Sequence, residues 1–339
     1  IERLAQGAYS PLLVDKNGVD PNLKHEQFML RVGQGHTLYG ELYGNPDAPA
    51  SIYNHGGPGA PTVNGDATHL NPEQSLVVAF HQRGTGRSIY EGADPHVGNT
   101  TKHAIDDIDR IADALGLEGR INISGGSWGS LLSLAYAAEH PETVNSLLLR
   151  SISLGREQDE NEALHGKSTI KAAPLQRRRL LDLVPKSEHM EAQEFFNHVD
   201  SIMAEGGPED QAAAACAVRF ASLQFTLAKP TNAKNLETYI KFALMGSKMF
   251  AYAPDRAKLK LADAAVGGSA FRDAHVGMHY FANGFFMGPE GIQPELGKLK
   301  DIAGTVIMIS GLDDKNTPPH IAEDAHATLS QNNVPSMLV

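Results

Sequence analysis

The chain has 339 residues, 41% of them hydrophobic and 20% charged, with a net charge of −11; such a composition buries a sizeable core and excludes both global disorder and the basic footprint of a nucleic-acid binder. A single cysteine, Cys216, excludes an intramolecular disulfide framework and fits a reducing compartment. No apolar run approaches the ~18 residues of a membrane span, and IERLAQGAYS lacks a signal-peptide core, so a cytoplasmic protein without nucleic-acid or membrane partners is expected.

In chain order, residues 26–44 read as two strands around a Gly33-Gln34-Gly35 turn, rich in β-branched and aromatic residues. ASIYNHGG (50–57) is a short apolar run ending in glycines, a buried strand entering a loop, and SLVVAFHQRGTG (75–86) repeats that form. Residues 102–117 place Ile105, Ile108, Ile111, Ala112 and Leu115 on one helical face with acids opposite. A strand at Ile121–Ile123, an alanine-rich helix stopped by Pro141 and a strand at Val144–Ile152 follow. Strands alternating with helices predict a largely parallel sheet covered on both faces.

From about residue 154 the pattern becomes helical without buried strands, through EQDENEALHGK, LQRRRLLDLV, EAQEFFNHVDSIMAEGG and DQAAAACAVRFASL. Strand character returns at TVIMISG (305–311), then a helix near Ile321–Leu329, then PSMLV. The expectation is an α/β core, 1–153 and 290–339, interrupted by a helical cap, 154–289.

Gly125-Gly126-Ser127-Trp128-Gly129 stands between the Ile121 strand and the alanine-rich helix. With 33 glycines in the chain, Gly-x-Ser-x-Gly arises by chance in roughly one such sequence in five. The strand-to-helix setting gives it weight, because a turn this sharp needs small residues two before and two after the serine. Ser127 then lies at a helix N-terminus, which favours negative charge. The bland alternative is a serine that merely caps a helix. An oxyanion hole needs N–H donors aimed where charge develops. One is expected from Trp128, the other from Gly57 in His55-Gly56-Gly57-Pro58-Gly59, which could also be an ordinary Gly-Pro turn.

Together these segments resemble the proline iminopeptidase family of α/β-hydrolases. The matching stretches are HTLYGELYGNPDAP, HGGPGAP, QRGTGRS, NTT (99–101), GGSWGSLLSLAYAAEHPETV with LLLRSI, HYFANGFF (279–286) and GLDDKNTPP, in the family's order from about residue 36 onward. The resemblance implies an α/β-hydrolase fold, a helical cap, and a triad acid after a late strand that holds the histidine's tautomer. GLDDKNTPP offers Asp313 and Asp314, and the family's spacing selects Asp314.

Two departures stand out. The family's histidine lies roughly thirty residues past the acid; here its place is expected just beyond Val339, in a chain that also starts without methionine. His55 belongs to the oxyanion loop, His81 stands where the family has aspartate, and His320 begins a helix near Asp314 in sequence. The second concerns the cap glutamates that the resemblance implies for holding a free ammonium. Phe220 or a neighbour aligns with one, and Val276-Gly277-Met278-His279-Tyr280-Phe281 has no acid at the other; Asp273, a turn upstream, is the substitute. Losing such a partner would cost roughly 2–5 kcal/mol. The remaining pocket candidates, Phe220, Met278, Tyr280, Phe281 and Phe285, with His55, suit an uncharged substrate.

His275 and His279 have the spacing of a two-histidine metal site but lack a zinc-protease glutamate, so no metal is assigned. Arg177-Arg178-Arg179 reads as a solvated face, Gly33-Gln34-Gly35 lacks a nucleotide loop's context, and no cofactor is expected. The reading is a serine hydrolase acting through an acyl-enzyme, releasing N-terminal proline from small peptides. The alternatives are an esterase or amidase acting on an uncharged acyl substrate, and a non-catalytic ligand-binding protein. Physiological substrate and oligomeric state stay open.

Overall fold

The Gly33-Gln34-Gly35 turn takes positive φ at all three residues (85°, 52°, 80°) and closes a hairpin between β2 (His25–Gly33) and β3 (His36–Gly44). That conformation gives the turn the twist a tight hairpin requires. In this computed structural model, residues 2–3, 25–60, 67, 69–92, 94–117, 119–207, 210–228 and 270–339 are described; the part of the expected cap at 229–269 lies outside them. The chain divides into two compact units. The first comprises Ile1–Leu154, Ile292–Ser310 and His320–Val339, the second Gly155–Gly291 and Gly311–Pro319.

The first unit is built on a sheet. Besides the hairpin it contains β1 (Glu2–Arg3), β4 (Ala50–Asn54), β5 (Leu76–Phe80), β6 (Ile89–Tyr90), β7 (Ile121–Ser127), β8 (Val144–Ile152), β9 (Val306–Ile309) and β10 (Ser336–Leu338). The order is β1-β2-β3-β5-β4-β7-β8-β9-β10, with β6 on β3. The first pairings are antiparallel; β5-β4-β7-β8-β9-β10 is parallel throughout. Buried runs such as Val77, Val78 and Phe80 suit a sheet covered on both faces, each side chain contributing about 1.5–3 kcal/mol by leaving water.

Helix α1 (Thr101–Leu115) starts with Thr100 accepting the His103 N–H and ends at Gly116 in the left-handed conformation (φ 63°). Ile105, Ile108 and Ile111 are buried as predicted. The expectation that its acids lie opposite needs correction: Asp107 is 1% exposed and binds Arg83, Oδ2 to Nε at 2.6 Å and Oδ1 to Nη2 at 2.7 Å. Arg83 also donates to the carbonyls of Gly98 (2.7 Å) and Val32 (3.1 Å). The bidentate ion pair holds the Gln82-Arg83-Gly84 turn against α1. Helix α2 (Trp128–Glu139) is buried from Trp128 to Ala138, which its alanine-rich sequence allows.

The described part of the second unit contains α3 (Glu157–His165), α4 (Lys167–Ala172), α5 (Pro174–Leu181), α6 (Ala192–Gly206), α7 (Gln211–Ala228) and α8 (Ala270–Ala282). They enclose an apolar core that includes Leu180, Phe195, Phe196, Val199, Met203, Cys216, Phe220 and Met278.

Candidate active site

Strand β7 runs into α2 with no intervening loop, so one residue must reverse the chain. Ser127 does so at φ 57°, ψ −127°, a conformation that costs a non-glycine residue about 1–3 kcal/mol. The turn also leaves no room for side chains beside it. A Cβ on Gly125 would lie 2.2 Å from the Gly129 carbonyl oxygen, and one on Gly129 would lie 2.1 Å from the Asn54 carbonyl oxygen. Ser130 Oγ donates to the Ser127 carbonyl at 2.6 Å and accepts the Ser153 N–H at 3.0 Å, holding the strained residue from below. Ser127 makes no side-chain cap hydrogen bond. Its hydroxyl is therefore not serving as a helix cap, which disposes of the bland alternative for this serine.

The His55-Gly56-Gly57 loop leaves the end of β4, and β4 pairs β7 with Asn54 opposite Gly125. A Cβ on Gly56 would lie 3.4 Å from Ser127 Cβ, so the loop lies against the serine. Gly56, Gly57, Gly126 and Ser127 are half-buried, between the buried pairs His55 and Pro58 and Gly125 and Trp128. This edge of the sheet, at the carboxyl ends of its parallel strands, is where open α/β folds bind ligands.

His55 is 1% exposed. Its Nε2 accepts the Gln82 backbone N–H at 3.0 Å, so the ring proton sits on Nδ1 and is donated to the Gly56 carbonyl at 2.9 Å. Burial pushes its pKa down to about 3, aided by His81 and opposed by the Gly56 hydrogen bond. With both ring nitrogens engaged inside the protein, His55 is a loop brace rather than a substrate contact. Gln82 also donates from Nε2 to the His55 carbonyl (3.1 Å) and accepts the Trp128 indole N–H through Oε1 (2.8 Å). Sequence reasoning passed over Gln82; its signal was QRG, read there only as part of a resemblance.

Two described histidines of this unit bond to other groups. His69 lies 2.6 Å from Ser124 Oγ, three residues before the elbow serine, and Ser124 donates onward to the Leu148 carbonyl (2.9 Å). His81 accepts the Arg87 N–H at 2.7 Å and binds Ser88 through its carbonyl.

In the second unit, Asp313 and Asp314 separate clearly. The Asp313 side chain is 94% exposed. Asp314 is half-buried, its Oδ1 accepting the N–H groups of Asn316 (2.9 Å) and Thr317 (3.0 Å) and its Oδ2 the Thr317 hydroxyl (3.0 Å). That leaves a rigid carboxylate oriented by its own turn. The substrate-side candidates are mostly core residues. Phe220 is 7% exposed and Met278 fully buried in the helical core. Phe281 packs its ring on Phe196, Phe220 and Phe285, and Tyr280, 4% exposed, packs on His279 and Phe286. Asp273 Oδ1 faces the Arg272 guanidinium at 3.6 Å. His275 faces Asp200 at 3.4 Å, while His279 contacts Asn283 and the Phe286 ring, so the two histidines diverge.

Residues 52–334 match the family model of the alpha/beta hydrolase fold. The chain is 30% identical over 305 residues to a proline iminopeptidase of Arabidopsis thaliana, covering 88% of this chain and 70% of that one. Against a proline iminopeptidase of Neisseria gonorrhoeae it is 44% identical over 128 residues, 38% of this chain and 40% of that one. The chain spans about half the length of its relatives from Mycoplasma pneumoniae (55%) and Mycoplasma genitalium (54%). Among solved structures, a proline iminopeptidase of Mycobacterium smegmatis superposes with a TM-score of 0.54 at 18% identity, covering 93% of this chain and 89% of that one. A proline iminopeptidase-related protein of Thermus thermophilus gives 0.51 at 20% identity, with the same coverage. These two share the fold. The chain belongs to the proline iminopeptidase family of α/β-hydrolases.

Proposed function

We propose that the protein is a serine hydrolase that releases N-terminal proline from small peptides through an acyl-enzyme. The observation that carries this is Ser127: a strained serine at the β7–α2 turn, with no capping role and the His55-Gly56-Gly57 loop against it. Ser127 Oγ attacks the scissile carbonyl, and its proton passes to a histidine oriented by Asp314 and then to the leaving amine. The N–H groups of Gly57 and Trp128 hold the oxyanion, Trp128 from the first position of α2. Water then releases the acyl group from Ser127.

One observation favours a second reading, an esterase or amidase for an uncharged substrate. Phe220 is buried in the core where an ammonium-binding acid is expected, and Asp273 already faces Arg272. Hydrolysis by the full-length protein of prolyl anilide, its N-acetylated form and a short-chain nitrophenyl ester separates the readings. Strong preference for the free prolyl amine supports the iminopeptidase. Indifference to acetylation with ester cleavage supports the second reading. No turnover of any of them, with Ser127 unlabelled by a fluorophosphonate, overturns both in favour of a ligand-binding role.

A further inference from the structure

We propose that Gln82 is a positioning residue that sets the spacing of the two oxyanion donors, an inference that rests on the serine-hydrolase reading of this site. Gln82 follows β5, and β4 lies between β5 and β7 in the sheet. From there it reaches both segments that carry the donors. Its backbone N–H and side-chain Nε2 hold the ring and carbonyl of His55, at 3.0 and 3.1 Å, two residues before Gly57. Its Oε1 holds the indole of Trp128 at 2.8 Å.

The orientation of that amide follows from chemistry. The indole N–H only donates, so the oxygen must face Trp128 and the NH2 must face the His55 carbonyl. Gln82 is itself fixed, because its carbonyl accepts the Thr85 N–H (3.1 Å) and the Thr85 hydroxyl (2.9 Å). Arg83, next in sequence, is locked to Asp107. His55, Gln82, Thr85 and Trp128 are all at most 7% exposed, so water cannot stand in for a lost partner. One neutral amide therefore sets the distance between the His55 carbonyl and the Trp128 ring. Holding the carbonyl fixes the peptide that leads to Gly57, and holding the ring fixes the residue whose own N–H is the second donor. Oxyanion donors act over 2.7–3.1 Å, and a misplacement of about 1 Å costs on the order of 10²-fold in rate.

The amide offers a donor face and an acceptor face on one rigid plane. Gln82→Glu keeps an acceptor for Trp128 and sets a carboxylate against the His55 carbonyl. Gln82→Met keeps the volume and removes both side-chain bonds. Trp128 is the chain's single tryptophan, so its emission reports the Gln82 bond without reference to activity.

The experiment combines three readouts on full-length wild type, Q82M and Q82E: tryptophan emission, the rate of Ser127 labelling by a fluorophosphonate, and kcat against KM on the best substrate. In Q82M the emission is expected to move to shorter wavelength as the indole N–H loses its partner. Labelling and kcat are expected to fall about 10–100-fold, with KM changed by less than about 2-fold. In Q82E the emission stays near wild type while labelling still falls. A purely structural glutamine would change thermal stability and leave the split between kcat and KM untouched. Q82M with shifted emission and wild-type labelling overturns the proposal, as does unshifted emission. If Q82M does not fold, Q82E decides: undiminished labelling overturns the proposal. A wild type that takes no label overturns the serine-hydrolase reading and this role with it, a result distinct from wild type and Q82M labelling equally fast.

Discussion

Replacing Gly129 by alanine tests how tightly the elbow is built. An added Cβ would sit 2.1 Å from the Asn54 carbonyl oxygen and 2.8 Å from that of His55, where ordinary contact begins at 3.4 Å. The nearer oxygen is thus about 1.3 Å too close, and it is not free to retreat. Asn54 pairs with Gly125 across β4 and β7, and its Nδ2 donates to Ser133 Oγ at 3.0 Å. Either the start of α2 or the end of β4 must move by about 1 Å, which separates Ser127 from the His55-Gly56-Gly57 loop. Overpacking of this kind costs about 1–3 kcal/mol in stability. The displacement is expected to slow fluorophosphonate labelling of Ser127 about 10²-fold, or about 2.7 kcal/mol of barrier at 1.36 kcal/mol per decade. Gly116→Ala is the control. Gly116 has φ 63° with nothing within 4 Å of its Cβ position, so G116A loses about 1–2 kcal/mol of stability from backbone strain and labels at the wild-type rate. Urea unfolding and labelling kinetics on both variants complete the test. Equal labelling by G129A and wild type would refute the link drawn between elbow packing and reactivity.

Three further outcomes follow from buried charges. Asp107→Ala leaves Arg83 without its carboxylate, with side chains 2% and 1% exposed, and is expected to destabilise by about 3–5 kcal/mol in urea; a loss under about 1 kcal/mol would contradict the pairing. His55 is neutral in the fold with a pKa of about 3 against 6.5 in the unfolded chain, so the unfolded state takes up the extra proton between those values. The stability His55 contributes is full above about pH 6.5 and drains as pH falls toward 3. A His55→Gln variant should show a flatter acid limb, and a flat difference profile would contradict this. Glu160 carries the opposite sign, since burial first, and Asp159 second, push its pKa up from 4.5 to about 8. Its neutral form is the one the fold prefers; stability is full below pH 4.5 and declines as pH rises through 8. Glu160→Gln should therefore match wild type at pH 4 and exceed it at pH 8.5 by up to a few kcal/mol at 1.36 kcal/mol per pKa unit, an upper bound because the side chain is only half-buried. Equal stability at pH 8.5 would show that solvent or a partner already relieves the carboxylate.

What was legible in the residues was whatever depends on near neighbours. The Gly33-Gln34-Gly35 hairpin is written as a local backbone requirement, whereas the reading of 102–117 as helix ran past the α1 stop at Gly116. The elbow is legible because its glycines are demanded by contacts with its own strand and helix, or with the β4 end beside them. Asp107 was misplaced because helical periodicity sorts side chains by polarity alone. Its partner Arg83 lies 24 residues earlier, and no window over α1 contains it. His69 pairing with Ser124 across 55 residues escaped for the same reason. Asp313 and Asp314 are told apart in the residues only by the spacing that the resemblance supplies; the local reason, the Asn316 and Thr317 bonds to Asp314, shows in the structure alone. The apolar candidates show a different limit: a phenylalanine lining a pocket and one filling a core are the same letter, and Phe220 lies in the core.

The alanine-rich helix carries a consequence that its composition conceals. Ser130 and Ser133 look like small fillers in SLLSLAYAAEH, yet each is fully buried and each hydroxyl both donates and accepts. Ser130 ties the Ser127 carbonyl to the Ser153 N–H. Ser133 ties the Gly129 carbonyl to the Asn54 amide. A buried hydroxyl with one lost partner costs about 1–3 kcal/mol, a loss comparable to the strain at Ser127. These ties therefore join the elbow to β8 on one side and β4 on the other, and Gln82 adds a third from the β5 end. A strained residue persists when its surroundings over-determine it, and here residues at the carboxyl ends of β8, β4 and β5 each contribute a polar contact to the turn. The reactive geometry is then a property of the sheet's carboxyl edge rather than of the five-residue motif, which is why Gly-x-Ser-x-Gly in a sequence means little until the strands around it are in place.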